Sequence, residues 1–348
     1  MDSQPAPEVE APYGTGRRHR TAAVSDSEAL ARLIADGRVA PDIAVTCWDR
    51  VDGIGAQASG VVSAMLLARF AGCRYVHSPF ASVGHAIDGR ADWARLWERF
   101  LNFGDGETGL PEDAQVMRIA AFVRDPAVYA GRKIVIGEPA FGLHPPTAAP
   151  MRDVLRGELR AKYWRSPKAS IPSHRASRGI TAAVHLRRGD VSEARSARRY
   201  VPDEVALRQV VRLRRAVAPF GQAATINLYS EGAPEEFRAF AKAGCVLHIS
   251  ENPFESFHNM VTADILMTGR STFSQVAALL SQGIILHSGG KSPKLSNYLR
   301  QHPNGDVPIR RLRRALIERM SWPQWCVYRV RRRWRRWRDD DSRAMRRS

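Results

Sequence analysis

Between residues 180 and 287 the chain alternates short apolar runs, several rich in β-branched residues, with longer amphipathic runs, and the turns between them are short. Strands are predicted at 180–186, 225–229, 246–249, 265–267 and 284–287, and helices at 203–217, 234–243, 254–262 and 273–281. Regular strand–helix alternation with short turns is the pattern of a parallel sheet, because a parallel partner needs a crossover and the helix supplies it. The predicted architecture is therefore a doubly wound α/β sheet. A second block precedes it. IAVTCW (43–48) reads as a buried strand, DGIGAQ (52–57) as a glycine turn, 58–71 as a helix of small apolar residues, and 75–77 as the start of another strand, which together make a βαβ unit. Helices at 25–35, 92–100 and 151–164 and a strand at 133–136 complete it. The segment 165–179, with two prolines and several serines and basic residues, is the predicted boundary. Four parts follow: a disordered 1–24, an N-terminal α/β domain over 25–175, a C-terminal Rossmann-like domain over 176–309, and a basic tail over 310–348.

Composition narrows the function. The chain has 348 residues, 44% hydrophobic and 25% charged, which is globular. Its net charge of +18 is uneven: 310–348 holds 15 Arg against four acids (Glu318, Asp339, Asp340, Asp341), so eleven of those charges belong to the tail. The body is only moderately basic, which suits an anionic small substrate and makes nucleic acid an unlikely partner. No uninterrupted apolar run approaches the ~18 residues of a membrane span, and the acidic, proline-rich first residues lack the core of a signal peptide. Cys47, Cys73, Cys245 and Cys326 are far apart and form no CxxC, which argues against a zinc site and fits a reducing, cytoplasmic compartment. In the tail, WPQWCVYRVRRRWRRWR (322–338) interleaves Trp with Arg. Peripheral docking on an anionic membrane is the preferred functional reading, a packed or solvated helix is the plainer one, and RNA binding comes third.

Three motifs carry chemistry. In VHLRRGD (184–190) two arginines stand where a strand ends, which is where open α/β sheets bind ligands. One arginine can clamp a phosphate bidentately while the other pairs with an acid, and Gly189 lets the backbone turn. The plainer alternative is a surface ion pair. In ADILMTGRSTFSQ (263–275) hydroxyls and free N–H groups meet at a helix start, a ready anion site, although Ser271 or Thr272 as an ordinary N-cap would look the same. In DGIGAQ, Gly53 and Gly55 precede a helix and Gln57 opens it, but the spacing is not GxGxxG. Trp93 and Trp97, four apart, read as core. His77, His85 and His144 lack metal-ligand spacing, and His85 lies in a loop that can reach an acceptor.

These motifs, in this order, resemble the fucosyltransferase superfamily of α-1,2-, α-1,6- and protein O-fucosyltransferases. The H-x-R-R-[GT]-D motif of those families is matched by His185, Arg187, Arg188, Gly189 and Asp190. Their late A-D-x-(apolar)-S-S-F-S segment is matched by Ala263, Asp264, Ser271, Thr272, Phe273, Ser274 and Gln275, and their N-terminal glycine turn by 52–57. The resemblance implies a GT-B fold, two Rossmann-like domains facing a cleft. It implies inverting, metal-independent transfer of L-fucose from GDP-fucose, or a related GDP-sugar, to a glycan or glycoconjugate, with no cofactor beyond the donor. Arg187 would hold the diphosphate, His185 would lie near the nucleotide, and Asp264, Ser271, Thr272, Ser274 and Gln275 would bind the donor. Glu255 or Ser256 falls near the place of the acid that relatives set against guanine. The nearest acids to the arginine pair, and so the candidates for general base, are Asp190 and Glu193, unless Asp190 is engaged in orienting Arg188. The competing reading is a catalytically silent GT-B-fold protein that binds an anionic partner through its tail.

Overall fold

The computed structural model describes residues 17–39, 43–138, 148–175, 179–220, 224–287, 297–301 and 306–319. It divides into two compact units between Glu158 and Leu159.

The first unit opens with helix α1 (Arg17–Ala35) and strand β1 (Ala44–Cys47), followed by α2 (Ile54–Ala71), β2 (Arg74–His77), α3 (Trp93–Leu101), β3 (Thr108–Gly109), β4 (Gln115–Met117), α4 (Ile119–Arg124) and β5 (Ile134–Glu138). Its five strands are ordered β3-β2-β1-β5-β4 and every pairing is parallel. Every residue of β1 and β5 is buried, as expected of central strands covered on both faces. Trp93 and Trp97 are core residues packed edge to face. Helix α2 is long and apolar enough to cross a membrane by length and composition, yet 72% of it is buried within the fold. Its apolarity is that of a helix enclosed by its own domain. One prediction needs correction here: 17–24, expected to be disordered, forms the first two turns of α1. The remainder of the expected disordered segment, 1–16, lies outside the described residues.

Helix α5 (Ala149–Arg165) crosses from one unit to the other. The predicted boundary in 165–179 is displaced for a visible reason. Glu158 pairs with Arg69 of the first unit, whereas Tyr163, one turn later, is buried against Phe257 and His258 of the second. The helix changes allegiance before it ends.

The second unit contains β6 (Thr181–His185), α6 (Glu193–Ser196), α7 (Asp203–Val217), β7 (Thr225–Ser230), α8 (Arg238–Lys242), β8 (Val246–Ile249), α9 (Pro253–Thr262), β9 (Ile265–Met267), α10 (Thr272–Leu280), β10 (Ile284–His287), β11 (Tyr298–Arg300) and α11 (Ile309–Glu318). Its six parallel strands are ordered β11-β10-β9-β6-β7-β8. Numbered from β6 along the chain, this is the 3-2-1-4-5-6 order of doubly wound nucleotide-binding sheets, and the strand order reverses between β6 and β9. Ala182, Val184 and Leu186 alternate onto one face, against Val210, Leu213 and Val217 of α7 and Leu312 and Leu316 of α11. Ala183 and His185 take the other face, where His185 meets Phe273 of α10. The basic tail therefore does not begin at 310. Its first nine residues, 310–318, belong to α11, a helix packed on the sheet. The Arg/Trp stretch 322–338 and Cys326 lie outside the described residues, as does His144.

Candidate functional site

The switch point brings two of the three motifs together. The loop after β6 and the loop after β9 lie side by side: a Cβ on Gly269 would stand 2.7 Å from the His185 carbonyl oxygen and 3.3 Å from its Nδ1. Only glycine allows that approach. Arg270, one residue on, donates through Nη1 to the carbonyls of Arg198 (3.3 Å) and Tyr200 (3.4 Å), tying the second loop to the first.

Within the first loop the two arginines are used differently. Arg187 lies fork to fork on Asp190, with Nε to Oδ1 at 3.0 Å and Nη2 to Oδ2 at 2.5 Å. Its Nη1 makes no hydrogen bond among the described residues, so the guanidinium is held in place with one edge free. Arg188 is spent on structure: it donates to the carbonyls of Arg187 (3.0 Å) and Val201 (2.8 Å), pairs with Asp203, and lies 4.4 Å over the Tyr200 ring. The inward-paired arginine is thus Arg188 with Asp203. Asp190 orients Arg187, which corrects the possibility that it served Arg188. Glu193 opens α6 behind the Ser192 cap and stands exposed, with no ion pair among the described residues.

His185 sits under this loop. Its Nδ1 is buried with no hydrogen-bond partner. Burial first, and the charge of Arg187 second, push its pKa down to about 4, so the ring is neutral at neutral pH.

Across the switch point, α10 begins at Ser271, whose backbone is extended (φ −124°, ψ 133°) and whose hydroxyl makes no cap bond. The first helical bond runs from Gln275 N–H to the Ser271 carbonyl. The N–H groups of Thr272 and Ser274 therefore open the helix without an acceptor among the described residues. Ser274 itself is fully buried and donates to the Ser271 carbonyl at 3.2 Å, so its hydroxyl is structural, contrary to its predicted donor role. Thr272 is half-buried and Gln275 exposed.

Asp264 is not part of this site. It precedes β9 and thus stands at the amino end of the sheet, where its carboxylate accepts from Thr181 N–H (2.8 Å) and pairs with Arg175 (2.8 Å). It buttresses the starts of two strands, and the predicted donor contact is corrected accordingly. Glu255, in the first turn of α9, is at the carboxyl end beyond β8 and half-buried; its carbonyl accepts from Asn259 Nδ2 at 3.0 Å and its charge acts on His174.

Several groups at this rim had no sequence reading. His185, Tyr229 and His248 occupy one row across β6, β7 and β8. His174 stacks on His248, with centroids 3.9 Å apart and planes 9° off parallel, and its Nδ1 meets the Tyr229 hydroxyl at 3.0 Å. His248 is held by Glu251 through Nδ1 (2.9 Å) and by Asn227 Oδ1 through Nε2 (3.1 Å). His174, His248 and Glu251 lie close enough together to suggest a metal site. The ring geometry opposes it: lone pairs in two parallel planes do not converge on one ion, and three of the four ring nitrogens already face protein partners.

The glycine turn and His85 meet in the first unit. Gly53 caps α2, and a Cβ there would lie 3.5 Å from His85 Cδ2; His85 itself adopts φ +61°. Gly55 is buried inside α2. Gln57 is 2% exposed and its Nε2 donates to the carbonyls of Asp52 and Ser82, both at 2.6 Å, so it stitches the turn to the His85 loop and is not a solvated amide.

No protein-family profile and no curated protein sequence matches the chain. Among solved structures it is similar to POFUT1 in complex with GDP, at 13% identity over 75% of this chain and 99% of that one, with a TM-score of 0.33. It is also similar to NodZ α-1,6-fucosyltransferase soaked with GDP-fucose, at 13% identity over 73% and 97%, with a TM-score of 0.34. A putative aspartate carbamoyltransferase from Trypanosoma cruzi follows at 16% identity over 86% and 89%, with a TM-score of 0.17. Similarity at these scores assigns no activity.

Proposed function

We propose that the chain is an inverting glycosyltransferase of GT-B type that moves L-fucose from GDP-fucose to a glycan or glycoconjugate without a metal. One observation carries the reading: the free edge of Arg187, the N–H groups of Thr272 and Ser274 at the start of α10 and the unpartnered Nδ1 of His185 meet where the β6 and β9 ends adjoin at the switch point of a 3-2-1-4-5-6 sheet. Glycosyl transfer from a nucleoside diphosphate builds negative charge on the leaving oxygen. A fixed guanidinium and the N–H groups of Thr272 and Ser274 at a helix start are preorganised donors suited to that charge. His185, kept neutral by burial, adds no competing positive charge beneath the arginine. Asp190 has committed both oxygens to Arg187, so of the two acids Glu193 is the one left to accept the proton of the attacking hydroxyl. Gly53 and His85 are assigned to the acceptor side. The choice of guanine and fucose comes from the motif resemblance alone.

The test is a thermal-shift and calorimetry series with GDP, UDP and ADP. GDP alone should raise the melting temperature. Arg187→Ala should weaken GDP at least tenfold with circular dichroism unchanged, since a lost charge-assisted bond is worth about 1.5–3 kcal/mol. Arg187→Lys should fail similarly, because a point charge replaces a planar fork. Full GDP affinity in Arg187→Ala would end the proposal.

A further inference from the structure

The strand order has a second consequence. Ligands of a 3-2-1-4-5-6 sheet sit at the switch point, and in its dinucleotide-binding form an acid further along the chain receives a ribose hydroxyl. Here the second strand is β7, and the residue directly after it is Glu231. Its carboxylate leans over the turn that follows β6: a Cβ on Gly189 would collide with Glu231 Oε2, and Gly189, at φ +71°, has none. The loop carrying Glu231 is pinned. Ser250 N–H donates to the Ser230 carbonyl at 2.9 Å, Gly232 N–H to Ser250 Oγ at 3.2 Å, and Ser250 Oγ to the Gly232 carbonyl at 3.1 Å.

Despite this fixed seat beside an arginine-bearing turn, the Glu231 side chain has no ion pair or hydrogen bond among the described residues. Neither arginine pairs with it: Arg187 is held by Asp190 and Arg188 by Asp203. A phosphate would repel this carboxylate, so the ligand group that suits it is a neutral donor. A vicinal diol, presenting two hydroxyls to two carboxylate oxygens, is that group. We propose that Glu231 is the ribose-binding residue of the donor site, accepting hydrogen bonds from the vicinal hydroxyls of a ribonucleoside diphosphate whose phosphates lie at Arg187 and the start of α10. This rests on the donor-site reading above, and the experiment separates the two.

GDP and 2′,3′-dideoxy-GDP are titrated into the full chain by calorimetry, for the wild type, Glu231→Gln and Glu231→Ala. The wild type should prefer GDP by tenfold or more. Glu231→Ala should bind both ligands within about twofold of each other, with the dideoxy affinity close to wild type, and Glu231→Gln should fall between. If the wild type binds GDP but does not discriminate, or if Glu231→Ala keeps the discrimination or weakens both ligands equally, the ribose assignment is overturned and the donor site stands. If the folded wild type binds neither ligand, the donor site falls and the assignment with it.

Discussion

At position 269 the molecule tolerates no side chain, because the nearest obstacle is the backbone oxygen of His185, which cannot swing away. Gly269→Ala should therefore push the two switch-point loops apart. The expected result is a melting temperature lower by several degrees, equivalent to about 1–3 kcal/mol, together with a loss of GDP affinity. Gly53→Ala, whose new Cβ would make ordinary contact with His85, is the control that should leave both unchanged. The residue scale is also where the sequence was least informative. Arg187 and Ser271 could be placed at strand ends from the apolar runs before them. Asp264 could not, because matching a motif fixes order along the chain but not the end of the strand on which a side chain falls. Three residues of β9 are about 10 Å of extended chain, enough to carry it to the opposite rim. Glu231 had no sequence reading, although an acid two residues past the predicted strand 225–229 was a cue.

Elements were legible in proportion to their apolar length. β6 to β10, each a run of three or more buried or half-buried residues, appear within a residue or so of their predicted limits, as do α7, α9 and α10. β3, β4 and β11 are two or three residues long and partly exposed, so nothing in their composition separates them from loops. α11 was hidden by its charge. Five arginines lie in or directly beside a ten-residue helix, yet Leu312 and Leu316 face the core. Leu312→Ala should cost about 2–4 kcal/mol by chemical denaturation. A chain ending at 309 should melt markedly lower than one ending at 319. Equal melting temperatures would show that α11 contributes nothing.

Across the whole molecule, four imidazoles share one electrostatic condition. Burial lowers the pKa of His174, His185, His258 and His287, to about 4 for His185 and His258, against an ordinary value of 6.5. The unfolded chain takes up protons between pH 6.5 and 4 that the folded chain refuses, so stability is fully present above about pH 6.5 and is lost as pH falls towards 4. The raised pKa values of Glu138 and Asp26, both pushed up by burial, act in the opposite direction, and the four imidazoles outnumber them. Urea midpoints should climb from pH 4.5 to pH 7, and His258→Gln should flatten the climb; a slope unchanged in that variant would exclude His258 as a source.

Because all six strands of the second sheet point the same way, their two sets of ends have become different materials. Asp264, Arg175 and Thr181 bind the amino ends to one another, while Arg187, Glu231 and Ser271 stand at the carboxyl ends with bonding capacity to spare. Side-chain truncations at these residues should accordingly sort along a single axis: loss of Asp264 or Arg175 registers as melting, and loss of Arg187 or Glu231 as lost recognition in a protein that still folds.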